Sequence, residues 1–325
     1  MVRPTGPMHS SFRRWGEAVR LLLLLCAIWA LAVPASAQKR IALSFDDVPR
    51  GRGAFFSPDE RSKRLITQLK KAKVKQAAFF LNPGKLSDPD GLGGEARIKA
   101  YVRAGHVIAN HSYSHPQLTD STVEAYLADI DQADAWLKDR KGTRPWFRYP
   151  YLNEGRSDKE KRDAVRAGLK ARGLRNGYVT VDGCDWHIEA LTSKAKADGK
   201  PMDMEALRNF YVTTHVEAAN FYDQLAVKTT GRSPAHMLLL HETDIAALFI
   251  GDLVSALRAD GWAIVSADTA YADPIGDVLT DVPSHQGTLT ELMAWQKGLP
   301  APRWYARNDT KLMTALFNEQ VLKEK

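Results

Sequence analysis

Two carboxylates stand side by side in the stretch Ser44-Phe45-Asp46-Asp47-Val48-Pro49, directly after the apolar run Ile41-Ala42-Leu43. Further on, His111 and His115 are spaced by four, and Arg148 stands in Phe147-Arg148-Tyr149-Pro150-Tyr151. Asp182 and Asp185 precede Trp186, and His241 follows Leu238-Leu239-Leu240. Asp47, His111 and His115 would supply one oxygen and two nitrogens, a donor set for a zinc-like ion with a position left open to water. The spacing of four puts two imidazoles on one face of a single helical turn, which Pro116 must then end. Asp46, adjacent to a ligand and not needed as one, is available as a general base, and His241 can act as the acid that protonates a leaving group. Arg148 offers a fixed fork of donors suited to a carboxylate, beside a stiff aromatic wall of Tyr149, Pro150 and Tyr151. A base and an acid around one metal suit the hydrolysis of an amide or an ester.

Singly, each cluster has a plainer reading: an Asp pair before a proline often makes a solvated turn, and a histidine at a strand end is more often structural. Their placement is what joins them. Short apolar runs at 41–45, 77–81, 107–110, 146–149, 176–181, 236–240 and 263–266 read as strands. Helical periods fall between them at 59–73, 96–104, 122–140, 158–172 and 245–260. This alternation predicts an α/β fold with a parallel sheet or a closed barrel. Every polar cluster follows a strand, so all lie at the end of the sheet where active sites of such folds form. Because strand side chains alternate in direction, Asp46 and Asp47 share a site only if the first strand ends there, and Pro49 predicts that ending. Residues 187–234 exceed one crossover and read as an enlarged loop region with a helical pattern through 204–227. Residues 281–325 read as a helical extension that packs Leu292, Trp295, Trp304 and Leu316 onto the body.

With 325 residues and 44% hydrophobic content, the chain can fill one large domain or two small ones. Its first 37 residues form a separate text: Arg13, Arg14 and Arg20 precede the apolar run from Leu21 to Val33, followed by Ala35-Ser36-Ala37. That order predicts a secretory signal peptide cleaved near Ala37 and a secreted or periplasmic protein. The run is short of the ~20 apolar residues that a span needs, so no stable membrane span is expected after cleavage. Cys26 lies in this leader, which leaves Cys184 alone in the mature chain and no intramolecular disulfide. The net charge is +7, and removal of four leader arginines and one glutamate lowers it to +4, too mild and dispersed to predict a nucleic-acid partner. The expected division is a signal peptide over 1–37, a barrel domain over 38–280, and the helical extension over 281–325.

With its motifs in this order, the chain resembles the polysaccharide deacetylases, carbohydrate esterase family four. The resemblance rests on Ser44-Phe45-Asp46-Asp47, His111-Ser112-x-x-His115, Arg148-x-Pro150-Tyr151, Asp182-x-x-Asp185-Trp186 and Leu238-x-x-His241, between about residues 40 and 270. It implies a distorted (β/α) barrel of about seven parallel strands that removes acetyl groups from N-acetylated sugars or, in some branches, O-acetylated ones. Carried over residue by residue, it implies that Asp46 is the base and that Asp47, His111 and His115 hold a divalent metal, Zn2+ with Co2+ or Ni2+ as alternatives. Arg148 would position Asp46, and Asp185 would orient His241 as the acid. Tyr151 would offer its backbone N–H to the oxyanion, while Trp186 and Leu238 would enclose the acetyl methyl. The expected activity is deacetylation of an N-acetylglucosamine-type glycan. Two alternatives stay open: a hydrolase of small linear or cyclic amides on the same barrel, and a non-catalytic carbohydrate-binding homologue. One departure is Val48, where the family commonly has glycine. A β-branched residue resists left-handed backbone, which predicts a reshaped loop beside the metal.

Overall fold

The computed structural model describes residues 1–3 and 38–324, so the expected leader's apolar run and cleavage site lie outside the described residues. Residues Lys39–Lys325 form one compact unit. Its spine is β1 (Arg40–Val48), whose apolar residues alternate in direction: Ile41, Leu43 and Phe45 pack outward among helices, while Ala42 faces the barrel interior. In chain order there follow α1 (Pro58–Lys71), β2 (Ala78–Leu81), α2 (Gly94–Arg103), β3 (Val107–Asn110), α3 (Val123–Leu137), β4 (Thr143–Phe147), β5 (Asn153–Arg156) and α4 (Lys159–Ala171). After these come β6 (Arg175–Asn176), β7 (Val181–Asp182), α5 (Asp185–Ala197), α6 (Met204–Thr230), β8 (Ala235–His241), α7 (Asp244–Ala259), β9 (Ala263–Ile264) and α8 (Ala267–Tyr271). The chain closes with β10 (His285–Gln286), α9 (Leu289–Gln296) and α10 (Thr310–Gln320).

Seven strands pair in the order β6-β4-β3-β2-β1-β8-β7, every pairing parallel, and the short β9 adds to the start of β1. This is the expected distorted (β/α) barrel. The buried runs Ala78–Leu81 and Val107–Asn110 have no exposed face, as strands covered on both sides require. Helices start where the sequence caps them: Ser57 and Glu60 form a capping box at α1, and Thr243 caps α7. Among the described residues, no helix is long and apolar enough to cross a membrane.

Two expectations need correction. The strand predicted at 176–181 is broken into β6 and β7, and these are the two edges of the sheet. Between them the Gly177 N–H bonds to the Phe147 carbonyl and the Thr180 N–H to that of Met237, so the stretch bridges the seam without a continuous ladder. Gly177 is needed at this approach, because a Cβ there would lie 2.7 Å from the Phe80 ring. The second correction concerns 187–234, which is not an enlarged loop. It holds most of α5 and the 27-residue α6, which buries Phe210, Tyr211, Ala218 and Tyr222 against the body.

Candidate active site

Strand register sets the first pair. Asp46 of β1 lies directly opposite His241, the last residue of β8. The strand does not stop at Asp46, as its sequence predicted. It continues to Val48 through an irregularity between Phe45 and Val48, and Asp47 takes a left-handed backbone with φ 68°. That extra twist lets neighbouring carboxylates serve one cavity, against the alternation of a regular strand. Aspartate tolerates this conformation better than most residues. Val48 is spared it and stays fully buried in the core.

The histidines are also brought together by a route other than the expected one. Residues 111–115 form no helical turn, and both Ser112 (φ 67°) and His115 (φ 63°) are left-handed. The loop is held by polar side chains: Asn110 accepts from the Ser112 N–H at 2.7 Å, Ser112 Oγ from the His115 N–H at 3.0 Å, and Asp129 from the Tyr113 N–H at 2.7 Å. The imidazole centroids end 4.9 Å apart. Donor atoms of Asp47, His111 and His115 all lie within 4.8 Å of one another.

Their chemistry fits a divalent cation. His111 Nδ1 meets the Arg148 carbonyl at 2.9 Å, which turns Nε2 toward both aspartates, 3.7 Å from Asp46 Oδ2 and 4.0 Å from Asp47 Oδ1. Asp47 Oδ1 is buried without a hydrogen bond of proper geometry, although His115 Nε2 and Lys85 Nζ each stand 3.2 Å away. Burial holds His111 well below the ordinary imidazole range, and burial also lowers His115, so both favour the neutral form a metal requires. Burial alone would raise the Asp47 carboxyl. Lys85, His241, His115 and Arg50 outweigh it and hold that group below the usual carboxylate range.

Beside this cluster, Asp46 is 2% exposed and receives Arg148 Nη1 on Oδ1 at 2.7 Å. Arg148 is itself fully engaged. Nη1 also donates to Ser44 Oγ at 2.8 Å, Nε to the Gly177 carbonyl at 2.7 Å, and Nη2 to the Tyr271 hydroxyl at 2.7 Å, while its plane covers Phe80. The broken strand at the seam thus supplies an acceptor for this guanidinium. Burial pushes Asp46 up to about 6, Arg148 and His241 opposing and Asp47 adding to it. Across the opening, Asp185 receives both the His241 backbone N–H and Nδ1, each at 2.7 Å. Burial would lower the His241 pKa, but Asp185, then Asp47 and Asp46, carry it up to about 9. The pair at neutral pH is a carboxylate and an imidazolium.

These groups open into a cavity of about 920 Å3. Tyr151 and Trp186 line it, 52% and 43% exposed, and the Tyr151 ring stands 4.6 Å from that of His115. Leu238 does not line it. It is fully buried with the outer cluster, and Leu239, 5% exposed, faces the cavity instead. Strand alternation is the reason: counting back by two from His241 along β8 reaches Leu239, then Met237, both on the inner face. Several lining residues have no chemical role in the sequence. Arg50 follows the aspartate pair, and Gln286, Glu291, Leu292, Trp295, Arg303, Trp304 and Asn308 come from the C-terminal segment. Of these only Leu292, Trp295 and Trp304 gave a signal, as apolar residues expected to pack on the body.

Comparison with a protein-family model covers the motifs from Asp46 to Tyr151 and ends before Asp182. Residues 34–172 match the family model for polysaccharide deacetylase. Chitin deacetylase 1 of Cryptococcus neoformans var. grubii is 33% identical over 162 residues, 46% of this chain and 30% of that protein. A peptidoglycan-N-acetylglucosamine deacetylase of Bacillus cereus is 32% identical over 115 residues, 35% of this chain and 37% of that protein. The chain therefore spans about a third of the length of each of these curated relatives. Among solved structures, a family 4 carbohydrate esterase from Streptomyces lividans in complex with acetate is 21% identical, with a TM-score of 0.45, over 71% of this chain and 95% of that one.

Proposed function

The chain belongs to the polysaccharide deacetylase family, carbohydrate esterase family four, and from that premise we propose that it is a secreted or periplasmic, metal-dependent deacetylase of an N-acetylated glycan. The observation that carries the reading is the convergence of Asp47, His111 and His115 beside a buried Asp46 and across from the Asp185-held His241. A divalent ion on the three ligands, Zn2+ with Co2+ or Ni2+ as alternatives, would polarise the acetamide carbonyl and make water more acidic. Asp46 takes the proton from the attacking water. Arg148 holds the Asp46 carboxylate through Oδ1, so that Oδ2 is left toward the reacting atoms. As the carbonyl carbon gains its new bond to oxygen, the Tyr151 N–H donates to the oxygen that becomes negative. The carbon–nitrogen bond then breaks, His241 gives its proton to the departing amine, and acetate is left. Trp186, with Leu239 in place of Leu238, receives the acetyl methyl. Secretion is supported by the order of basic, apolar and small residues over 1–37.

The test is acetate release by residues 38–325 from N-acetylglucosamine oligomers, peptidoglycan and acetylated xylan, with and without a chelator. Chelator-sensitive release from an N-acetylated substrate is expected. Release that ignores the chelator overturns the metal reading, and silence on every glycan with metal bound turns the assignment to the small-amide hydrolase.

A second expectation concerns the acid. His241 must be protonated to act, and its pKa stands above the ordinary 6.5, at about 9. Activity therefore persists through neutral pH and falls as pH rises through the His241 value, which a bound dication draws to or below about 9. The stability contribution of the ion pair has the same sign, complete below the ordinary imidazole pKa and lost as pH rises through the folded value. Asp185→Asn removes the largest favourable partner of the imidazolium, so the alkaline limb of the pH–rate profile should move to lower pH. An unmoved limb would show that His241 is not the titrating acid.

A further inference from the structure

Eight of the twenty-one residues that line the cavity fall between Gln286 and Asn308, in a segment beyond the residues that match the family model. Its path explains why. β10 pairs antiparallel with β5, joining Gln286 to Asn153, and the Gly287 N–H bonds to the Leu152 carbonyl just after Tyr151. The segment then crosses the seam between the edge strands, where the Leu289 N–H bonds to the Val179 carbonyl at 2.8 Å and Thr290 Oγ1 to that of Thr180 at 3.0 Å. It reaches the far side with Asn308 Nδ2 on the Asp182 carbonyl at 3.1 Å and with His187 Nε2 near Thr314 Oγ1 at 2.9 Å. The one side on which the sheet is interrupted is thereby walled from β5 to α5.

This wall carries aromatic surface toward the cavity. Trp304 is 47% exposed although it lines the cavity, and Trp186, 43% exposed, lines it from α5. Next to Trp304 in the chain, the Arg303 guanidinium lies 4.9 Å over the Trp295 ring and donates to the Leu299 carbonyl at 2.8 Å. Exposed indoles in a concave site mark a place for a ligand with apolar faces and a polar rim. A pyranose ring has both. A cavity of about 920 Å3 also has room beyond the acetylated unit.

We propose, resting on the deacetylase reading, that Trp304 is the stacking platform for the sugar next to the acetylated one, and that the 286–308 wall selects glycan chain ends and short oligosaccharides over the interior of a polymer. A polymer held by its interior needs a groove open at both ends, and we infer that the segment, which lines the cavity from Gln286 to Asn308, closes one of them.

The experiment has two readouts on the mature protein. Chelator-treated protein is titrated with the N-acetylglucosamine tetramer, following binding by calorimetry, for wild type, Trp304→Ala and Trp304→Phe. The metal-loaded wild type then acts on the tetramer, and the position of the freed amine is mapped by mass spectrometry. Stacking predicts that Trp304→Ala raises Kd roughly tenfold and that Trp304→Phe recovers most of the loss. The freed amine should lie on a terminal unit. An unchanged Kd in the Ala variant, no binding by wild type, or a freed amine only on internal units each overturns the proposal. The deacetylase reading fails separately: Trp304-dependent binding with no acetate from any glycan leaves the platform standing and removes the chemistry, whereas release without dependence on Trp304 does the reverse. Trp304 is half-exposed, and an unchanged thermal midpoint in the variant excludes loss of fold as the cause.

Discussion

Asp46→Asn is expected to cut acetate release by roughly 10²–10⁴-fold while metal content stays that of the wild type. The substitution keeps the shape of the side chain and removes its ability to take a proton. Its cost to the fold should be contained, because Arg148, although it loses a charged partner at 2.7 Å, keeps Ser44 Oγ, the Gly177 carbonyl and the Tyr271 hydroxyl. The three candidate ligands are untouched, since Asp47 reaches the cluster from its own left-handed backbone. Metal content by mass spectrometry, measured beside acetate release, separates the roles of the two aspartates. If the Asn variant loses its metal, base and ligand have been exchanged.

His115→Ala should remove metal and activity together. The ring is one of only three donors in the cluster, and its Nε2 stands 3.2 Å from the orphaned Asp47 Oδ1. Losing it leaves two donors, too few to hold an ion firmly against water. The loop backbone is fixed by Ser112 Oγ and Asp129, not by the imidazole, although alanine at φ 63° costs roughly 1–2 kcal/mol more than glycine would. A metal that binds only the folded state stabilises it, so the wild type should gain thermal stability on addition of Zn2+ and the variant should not. A His115→Ala protein that still released acetate would end the three-ligand reading.

The sheet, its parallel order and the clustering of motifs at one end were legible because they rest on short-range pattern: apolar runs, helical periods and polar residues after strands. Details that depend on single backbone torsions were not. Asp46-Asp47 read as a strand end, and the chain instead kept the strand and turned Asp47 to φ 68°. The spacing of His111 and His115 suited a helix, and Asn110, Ser112 and Asp129 bent it into a loop that serves the same purpose. Leu238 was chosen by motif, although the period of two from His241 already pointed to Leu239. The break at 177–180 left no mark beyond Gly177, because the groups that meet this stretch, the Phe147 and Met237 carbonyls and the Arg148 guanidinium, come from distant parts of the chain. Least legible was the placement of the C-terminal segment, since its apolar residues show that it packs without showing where.

That segment ties the cavity to the order of synthesis. Every candidate ligand, the base and the acid precede residue 242, yet one wall is made only by residues after 285. A chain emerging from its N-terminus can assemble the candidate catalytic groups before the seam is covered, with Trp186 and Leu239 facing an open side. A product cut short near residue 280 would carry the full set of motifs and an unfinished site. The cavity as described is complete only with the C-terminal segment in place, and motif content alone is a poor guide to whether a fragment of this protein would work.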